Sequence, residues 1–335
     1  MPWDTMALMT APPQSPQPAP RPVRIGVSSC LLGHNVRFDG GHKRNAFLLD
    51  GFGRFVDWVA VCPEVELGLG TPRETLRLER RAGDTRLVTT KTDVDHTDAM
   101  RAWARRRVEA LAREDLSGYV LKKDSPSCGL ERVKLYGGGG GTPPRAGRGL
   151  FAAALVERLP HLPVEEEGRL EDARLRDNFV ERVFAYHRLT GFFSGRWSVA
   201  GLVEFHTAHK FLVLAHSPRE YAELGRLVAR AQELPRAELR AAYEGGLMTA
   251  LRALATPAKH ANVLQHMLGH LREGVPPAQR QELVALIDDH RRGLVPLVVP
   301  VTLLRHHVRR LGIDYLARQV YLDPHPRELM LRNHV

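Results

Sequence analysis

The chain has 335 residues with 48 lysines and arginines against 38 acids, a formal net charge of +10, and 43% hydrophobic residues. This is more chain than one ordinary core organises, so two domains are expected. The longest apolar runs, such as 294–304 with Pro296 and Pro300 inside it, are too short and broken to span a bilayer, so no transmembrane segment is expected.

Residues 1–22 are rich in Pro, Gln and Ala and lack a basic start followed by an apolar stretch. They read as a disordered leader, not a signal peptide, and imply a cytoplasmic protein with no membrane partner. From residue 23 to 165, strand-like and helix-like patches alternate. Strands are predicted over 24–29, 55–62 and 119–122, and helices over 98–112 and 149–159. This alternation predicts an α/β domain: a Rossmann-like, three-layer arrangement of a parallel sheet with helices on its faces. The glycine run 137–141 predicts a mobile loop and a candidate lid. Residues 166–180 read as a charged linker. From 181 to 335 the pattern is that of an all-α domain, with helices predicted over 182–190, 202–215, 218–232, 237–255, 258–272, 277–293 and 301–311, and a start signal at Ser217 and Pro218.

The chemistry-bearing residues begin with the three cysteines, Cys30, Cys62 and Cys128. Their odd number and wide spacing argue against a disulfide framework and for reduced thiols gathered by the fold. Singly, each reads as a small buried hydrophobe. Each also stands where an apolar run gives way to a turn, the place at which parallel strands deliver functional residues. Two metal readings follow: a cubane iron–sulfur cluster with one iron left free for substrate, or zinc with a fourth ligand such as His34.

The positive charge makes a polyanionic partner plausible through its summed potential. The helical half concentrates histidines and lysines at helical spacing, among them His206, His209, Lys210, Lys259 and His266, and with Arg305 these are the candidate RNA contacts. His266 and His270 stand four apart but lack the intervening glutamate of a zinc-protease helix.

Residues 24–165 contain Val-Ser-Ser-Cys-Leu-Leu-Gly, Val-Arg-Phe-Asp-Gly-Gly-His-Lys, Cys-Pro-Glu-Val-Glu-Leu-Gly-Leu-Gly-Thr-Pro-Arg, Leu-Lys-Lys-Asp-Ser-Pro-Ser-Cys-Gly and Gly-Leu-Phe-Ala-Ala-Ala-Leu, in that order. Through these motifs the segment resembles the TudS-like thiouracil desulfidases. The remainder, with Phe-His-Thr-Ala-His-Lys-Phe-Leu-Val-Leu-Ala-His-Ser, resembles the helical domain fused behind such domains, and the whole is similar to the bacterial tRNA 4-thiouridine desulfidases. The resemblance implies a [4Fe-4S] cluster held by Cys30, Cys62 and Cys128 with one iron not ligated by protein. It also implies Glu64 as acid and base, and Ser125 as the hydroxyl that positions water or substrate. Arg37, Asp39, Lys43, Arg73, Lys122 and Lys123 fall in matching motifs as candidate substrate contacts, although two successive strand residues such as Lys122 and Lys123 point to opposite faces. The implied reaction converts thiouridine, in particular 4-thiouridine, in a thiolated tRNA to uridine and hydrosulfide by hydrolytic C–S cleavage without net redox. Two other readings stand beside it: a desulfidase of free thiouracil whose helical domain serves dimerisation, and an iron–sulfur sensor that binds nucleic acid without catalysis.

Overall fold

The computed structural model describes residues 21–137, 142–271 and 273–335. Eight strands and eleven α-helices alternate at first and then give way to helices alone: β1 (Arg24–Ser28), β2 (Asp57–Val61), α1 (Pro63–Glu66), β3 (Leu76–Arg81), β4 (Asp84–Thr89), α2 (Thr97–Leu111), β5 (Leu116–Leu121), β6 (Val133–Tyr136), β7 (Arg145–Gly147), α3 (Leu150–Arg158) and β8 (Val164–Glu166). Then follow α4 (Ala173–Ser194), α5 (Val199–His216), α6 (Pro218–Ala229), α7 (Arg236–Arg252), α8 (Pro257–Gly269), α9 (Pro277–Arg291), α10 (Val298–Leu311) and the single turn α11 (Asp314–Ala317).

Four parallel strands form the first sheet in the order β2-β1-β5-β8. The central strand β5 is buried along its whole length, as expected for a parallel strand covered on both faces. On one face α2 and α3 bring Trp103 and Phe151 over Tyr119. On the other, the short helical turns over 47–54 and the first half of α4 pack Phe52 against Phe179. This is the expected three-layer arrangement. Gly26 makes it possible at the centre, because a Cβ there would lie 2.1 Å from the Tyr119 ring.

A second sheet, β4-β3-β6-β7, was not predicted. Its strands are short and arginine-rich, and half of each faces solvent, so the apolar signal reduces to isolated positions such as Leu78, Leu87 and Val133. The β3–β4 hairpin turns at Ala82 and Gly83, both with positive φ, the conformation that suits the twist of two paired strands.

Residues 166–180 are not a linker. They complete β8, form a turn over 169–171 and start α4, where Asp177, Asn178, Phe179 and Val180 are buried. Asp172 caps α4 by accepting from the N–H groups of Arg174 and Leu175. At 22 residues α4 is about 33 Å long. Its Phe179, Val180 and Val183 belong to the core under β1, and its Ala185, Leu189 and Phe193 belong to the core of the helical half. The boundary between the two halves therefore runs through a continuous helix. The periodicity over 182–190 had shown only its middle, because the buried polar residues Asp177 and Asn178 interrupt the apolar stripe.

In the helical half, Ser198, Ser217 and Thr256 cap α5, α6 and α8, and Pro218, Pro257 and Pro277 open α6, α8 and α9. Of the leader expected over 1–22, residues 1–20 lie outside the described residues; Arg21 donates to Thr190 Oγ1 at 2.7 Å. Residues 138–141 of the glycine run lie outside as well. Among the described residues no helix is long and apolar enough to cross a membrane.

Candidate active site

Three neighbouring strands, β2, β1 and β5, end on the same edge of the sheet because they are parallel, and each is followed by one cysteine. Cys30 lies in the turn after β1, Cys62 stands at the N-cap of α1 directly after β2, and Cys128 closes the Asp-Ser-Pro-Ser-Cys loop after β5. All three line one cavity of about 360 Å³, together with Glu64, Ser125, Arg37, Lys43, Arg73, Lys122 and Lys123. Residues up to 98 positions apart thus meet at one place.

The thiols are free. Burial pushes the Cys30 thiol up to about 11 and Cys62 up to about 12, and raises Cys128 as well; the Glu64 carboxylate adds to each shift. Lys122 and Arg37 oppose the rise at Cys30, and Arg73 opposes it at Cys62. Three thiolates in such a place are costly unless a cationic centre neutralises them. The sulfurs lie near enough for Cys30 and Cys62 to add to the rise at Cys128, and three thiols converging on one cavity form a soft, thiolate-rich donor set.

Glu64 is 9% exposed, and its Oε2 lies 3.7 Å from Cys62 Sγ and 3.8 Å from the Arg73 guanidinium. Arg73 is itself fixed by donating to the carbonyls of Val36 and Gly70, both at 2.9 Å. Ser125 Oγ accepts from the N–H groups of Ser127 and Cys128 at 3.2 and 3.0 Å, so it shapes the turn that presents Cys128 while its own O–H stays available.

Lys122 and Lys123 both line the cavity, against the expectation of opposite faces, because β5 ends at Leu121 and the chain turns through Asp124 at φ 60°. Lys122 Nζ pairs with Glu167. Asp39 does not line the cavity. It accepts from the Gly41 N–H at 3.0 Å and pairs with Arg37, so it builds the turn over 37–41 in place of a substrate contact.

Two further acids, Glu166 and Glu167, stand at the end of β8 and were not among the expected site residues. Glu166 Oε1 accepts from the Leu130 N–H at 2.8 Å, and Glu167 Oε2 accepts from the Lys123 N–H at 2.7 Å, so both tie down the loop that carries Cys128. Burial raises the Glu166 pKa against the pull of the Leu130 and Glu131 N–H groups. Three consecutive glutamates directly after an apolar stretch were the available signal, but they look the same as a solvated connector.

The candidate RNA contacts separate by burial. His206 and His209 turn inward: His206 Nδ1 meets the Tyr243 hydroxyl at 3.3 Å, and His209 stacks on Phe205 and receives the Arg188 guanidinium. Burial lowers their pKa values to about 4 and about 3, so both are neutral core groups and not RNA contacts. Lys259 donates to the His216 and Leu254 carbonyls, and Lys210 lies over the Tyr315 ring. His266 is exposed, and Arg305 pairs with Asp323 at 2.9 Å.

The fold and site define an α/β protein with a three-thiol pocket at its strand ends, joined to an all-α unit. Residues 25–167 match the 2-thiouracil desulfurase family model, and residues 210–326 match a model described as a protein of unknown function, DUF1722. The chain is 32% identical to the uncharacterized protein YbgA of Escherichia coli over 48% of this chain and 95% of that protein. It is 30% identical to the uncharacterized protein YbbK of Bacillus subtilis over 40% of this chain and 89% of that one. Among solved structures, the [4Fe-4S]-dependent thiouracil desulfidase TudS is 33% identical, covering 44% of this chain and 93% of its own, with a TM-score of 0.37. The chain belongs to the 2-thiouracil desulfurase family, with a DUF1722 unit behind the desulfurase domain.

Proposed function

We propose that this protein is a cluster-dependent desulfidase that removes sulfur from thiouridine in tRNA, giving uridine and hydrosulfide. The observation that carries the reading is the convergence of Cys30, Cys62 and Cys128 on one cavity whose wall also holds Glu64. Membership in the desulfurase family supports it. The donor set fits a [4Fe-4S] cluster: three free thiols, Cys30 and Cys128 buried and Cys62 partly so, line one cavity with positive side chains close by. Bound there, such a cluster with one iron not ligated by protein supplies a Lewis-acidic position for a soft thiocarbonyl sulfur.

The chain's own residues do the rest. Glu64, held by Arg73 beside Cys62, takes a proton from the attacking water and delivers it to the departing sulfur or a ring nitrogen. Ser125 directs its free O–H into the cavity to hold that water. The water oxygen replaces sulfur at the ring carbon, sulfur leaves as hydrosulfide, and no electrons are exchanged.

A cavity of about 360 Å³ takes one base, so a tRNA nucleotide must be unstacked to enter it. The +10 charge and a helical unit that shares α4 with the catalytic half supply a surface for the remaining RNA. The test is purification without oxygen, assay of iron and sulfide per chain, and incubation with thiolated tRNA while nucleosides and hydrosulfide are followed. About four irons, the cluster's complement, and conversion to uridine are expected. Zinc in place of iron would sink the mechanism, and turnover of free thiouracil without turnover of tRNA would restrict the substrate to the base.

A further inference from the structure

A second cavity, of about 460 Å³, lies between α10 and the C-terminal segment 322–333. Its wall carries four arginines, Arg305, Arg309, Arg327 and Arg332, and one acid, Asp323, which pairs with Arg305. Among the described residues, Arg309 and Arg327 have no acid within 4.0 Å, and both are exposed. Like charges collected around one hollow repel one another unless an anion fills it. The Arg305 pKa is lowered by burial and by Arg327, Arg309 and Arg332, which reports that crowding.

The wall is built before any ligand arrives. Arg332 is anchored by Glu181 at 2.8 Å and by the Tyr321 carbonyl, and His325 is hydrogen-bonded to Asp177 at 3.0 Å, so the C-terminal segment is locked to α4 through one buried ion pair and one buried hydrogen bond. The same acids belong to the cluster of Asp177, Glu181 and His325, whose carboxylates are already taken up by Arg332, His216 and His325. Leu331, on the wall of the cavity, packs in the same buried cluster as Cys30 and Leu31. Leu331 thus seats the C-terminal segment on the core that also underlies β1.

We propose that this cavity is a phosphate-binding subsite that grips the RNA backbone through Arg309 and Arg327 while the modified base occupies the cysteine pocket. Paired guanidinium groups match phosphate oxygens geometrically, and a volume of this size admits a phosphate with its sugar. The inference rests on the tRNA reading above and gives it a location.

The test compares the anaerobically purified full chain with R309A/R327A, using thiolated tRNA across a range of salt concentrations. Each lost phosphate contact lowers the slope of log affinity against log salt by about 0.9, so a fall of about 1 to 2 is expected for the pair, with KM for tRNA raised roughly tenfold or more. R309K/R327K keeps both charges and recovers most of the slope. A melting midpoint matching the parent confirms that the alanine variant is folded, as the exposure of both side chains predicts. An alanine variant with the parent's slope and KM overturns the subsite while leaving tRNA as substrate; a parent chain that does not act on thiolated tRNA overturns both. Inhibition by a free nucleotide that R309A/R327A removes, with no change in the tRNA slope, assigns the cavity to a small ligand and overturns it as well.

Discussion

Glu64 Oε2 lies 3.7 Å from Cys62 Sγ, two residues away across the first turn of α1. Cys-Pro-Glu at a helix start produces this contact. Cys62 is the N-cap, Pro63 sets the first helical φ, and the next side chain folds back beside the thiol. In the proposed reaction, this proximity is what gives Glu64 the proton-handling role.

Replacement of Glu64 by Gln keeps the shape and removes the ionisable proton. Turnover is expected to fall by about 10²- to 10⁴-fold, the usual range for loss of a general acid or base. Iron and sulfide per chain should match the parent. Loss of metal along with activity would make Glu64 a structural partner of Cys62.

Gly149 lies where the N-terminus of α3 passes the turn that carries Cys128. A Cβ at this position would be 2.4 Å from the Ser127 carbonyl oxygen and 2.9 Å from the Cys128 nitrogen, both backbone atoms that cannot rotate away. Gly149→Ala is expected to cost about 1–3 kcal/mol by overpacking. It should also lower iron retention under a chelator, a measurement that separates displacement of Cys128 from general destabilisation.

The buried pair of Glu181 and Arg332 closes the C-terminal segment onto α4 at 2.8 Å, with His216 on the other carboxylate oxygen at 3.0 Å. Glu181→Gln leaves the Arg332 guanidinium without its counter-charge inside the protein. Breaking a buried pair in this way costs about 3–5 kcal/mol. Urea unfolding followed by near-UV dichroism measures it, and a loss below about 1 kcal/mol would show that water replaces the carboxylate there.

His206 and His209 make stability depend on pH. Burial lowers their folded pKa values to about 4 and about 3, below the ordinary 6.5, so the unfolded chain takes up protons first. Their contribution is fully present above about pH 6.5 and is lost as pH falls toward 4 and then 3, at about 1.4 kcal/mol per pH unit for each group. Urea midpoints between pH 7.5 and 4.5 should therefore decline, and His206→Gln with His209→Gln should flatten the decline. An unchanged slope in that double variant would place the pH dependence elsewhere.

Local chemistry in the sequence was enough to determine the start of β1, the strands β1, β2 and β5 with the helices α2 and α3, the caps at Ser217 and Pro218, and the placement of Cys30, Cys62 and Cys128 after strands, because each depends on neighbours a few residues away. Glu64 was singled out by the family resemblance, and one helical turn sets it beside Cys62. Only tertiary structure decided the rest. The strand order β2-β1-β5 brings the three thiols to one cavity, and α4 runs unbroken through the expected linker because its polar residues Asp177 and Glu181 find partners more than 140 residues away. His206 and His209 have the composition of a basic surface, yet packing turns them into the core; Glu166 and Glu167 have the composition of a connector, yet backbone N–H groups from the Cys128 loop bind them. A polar residue's role is set by the partner that satisfies it, and that partner is chosen by the fold.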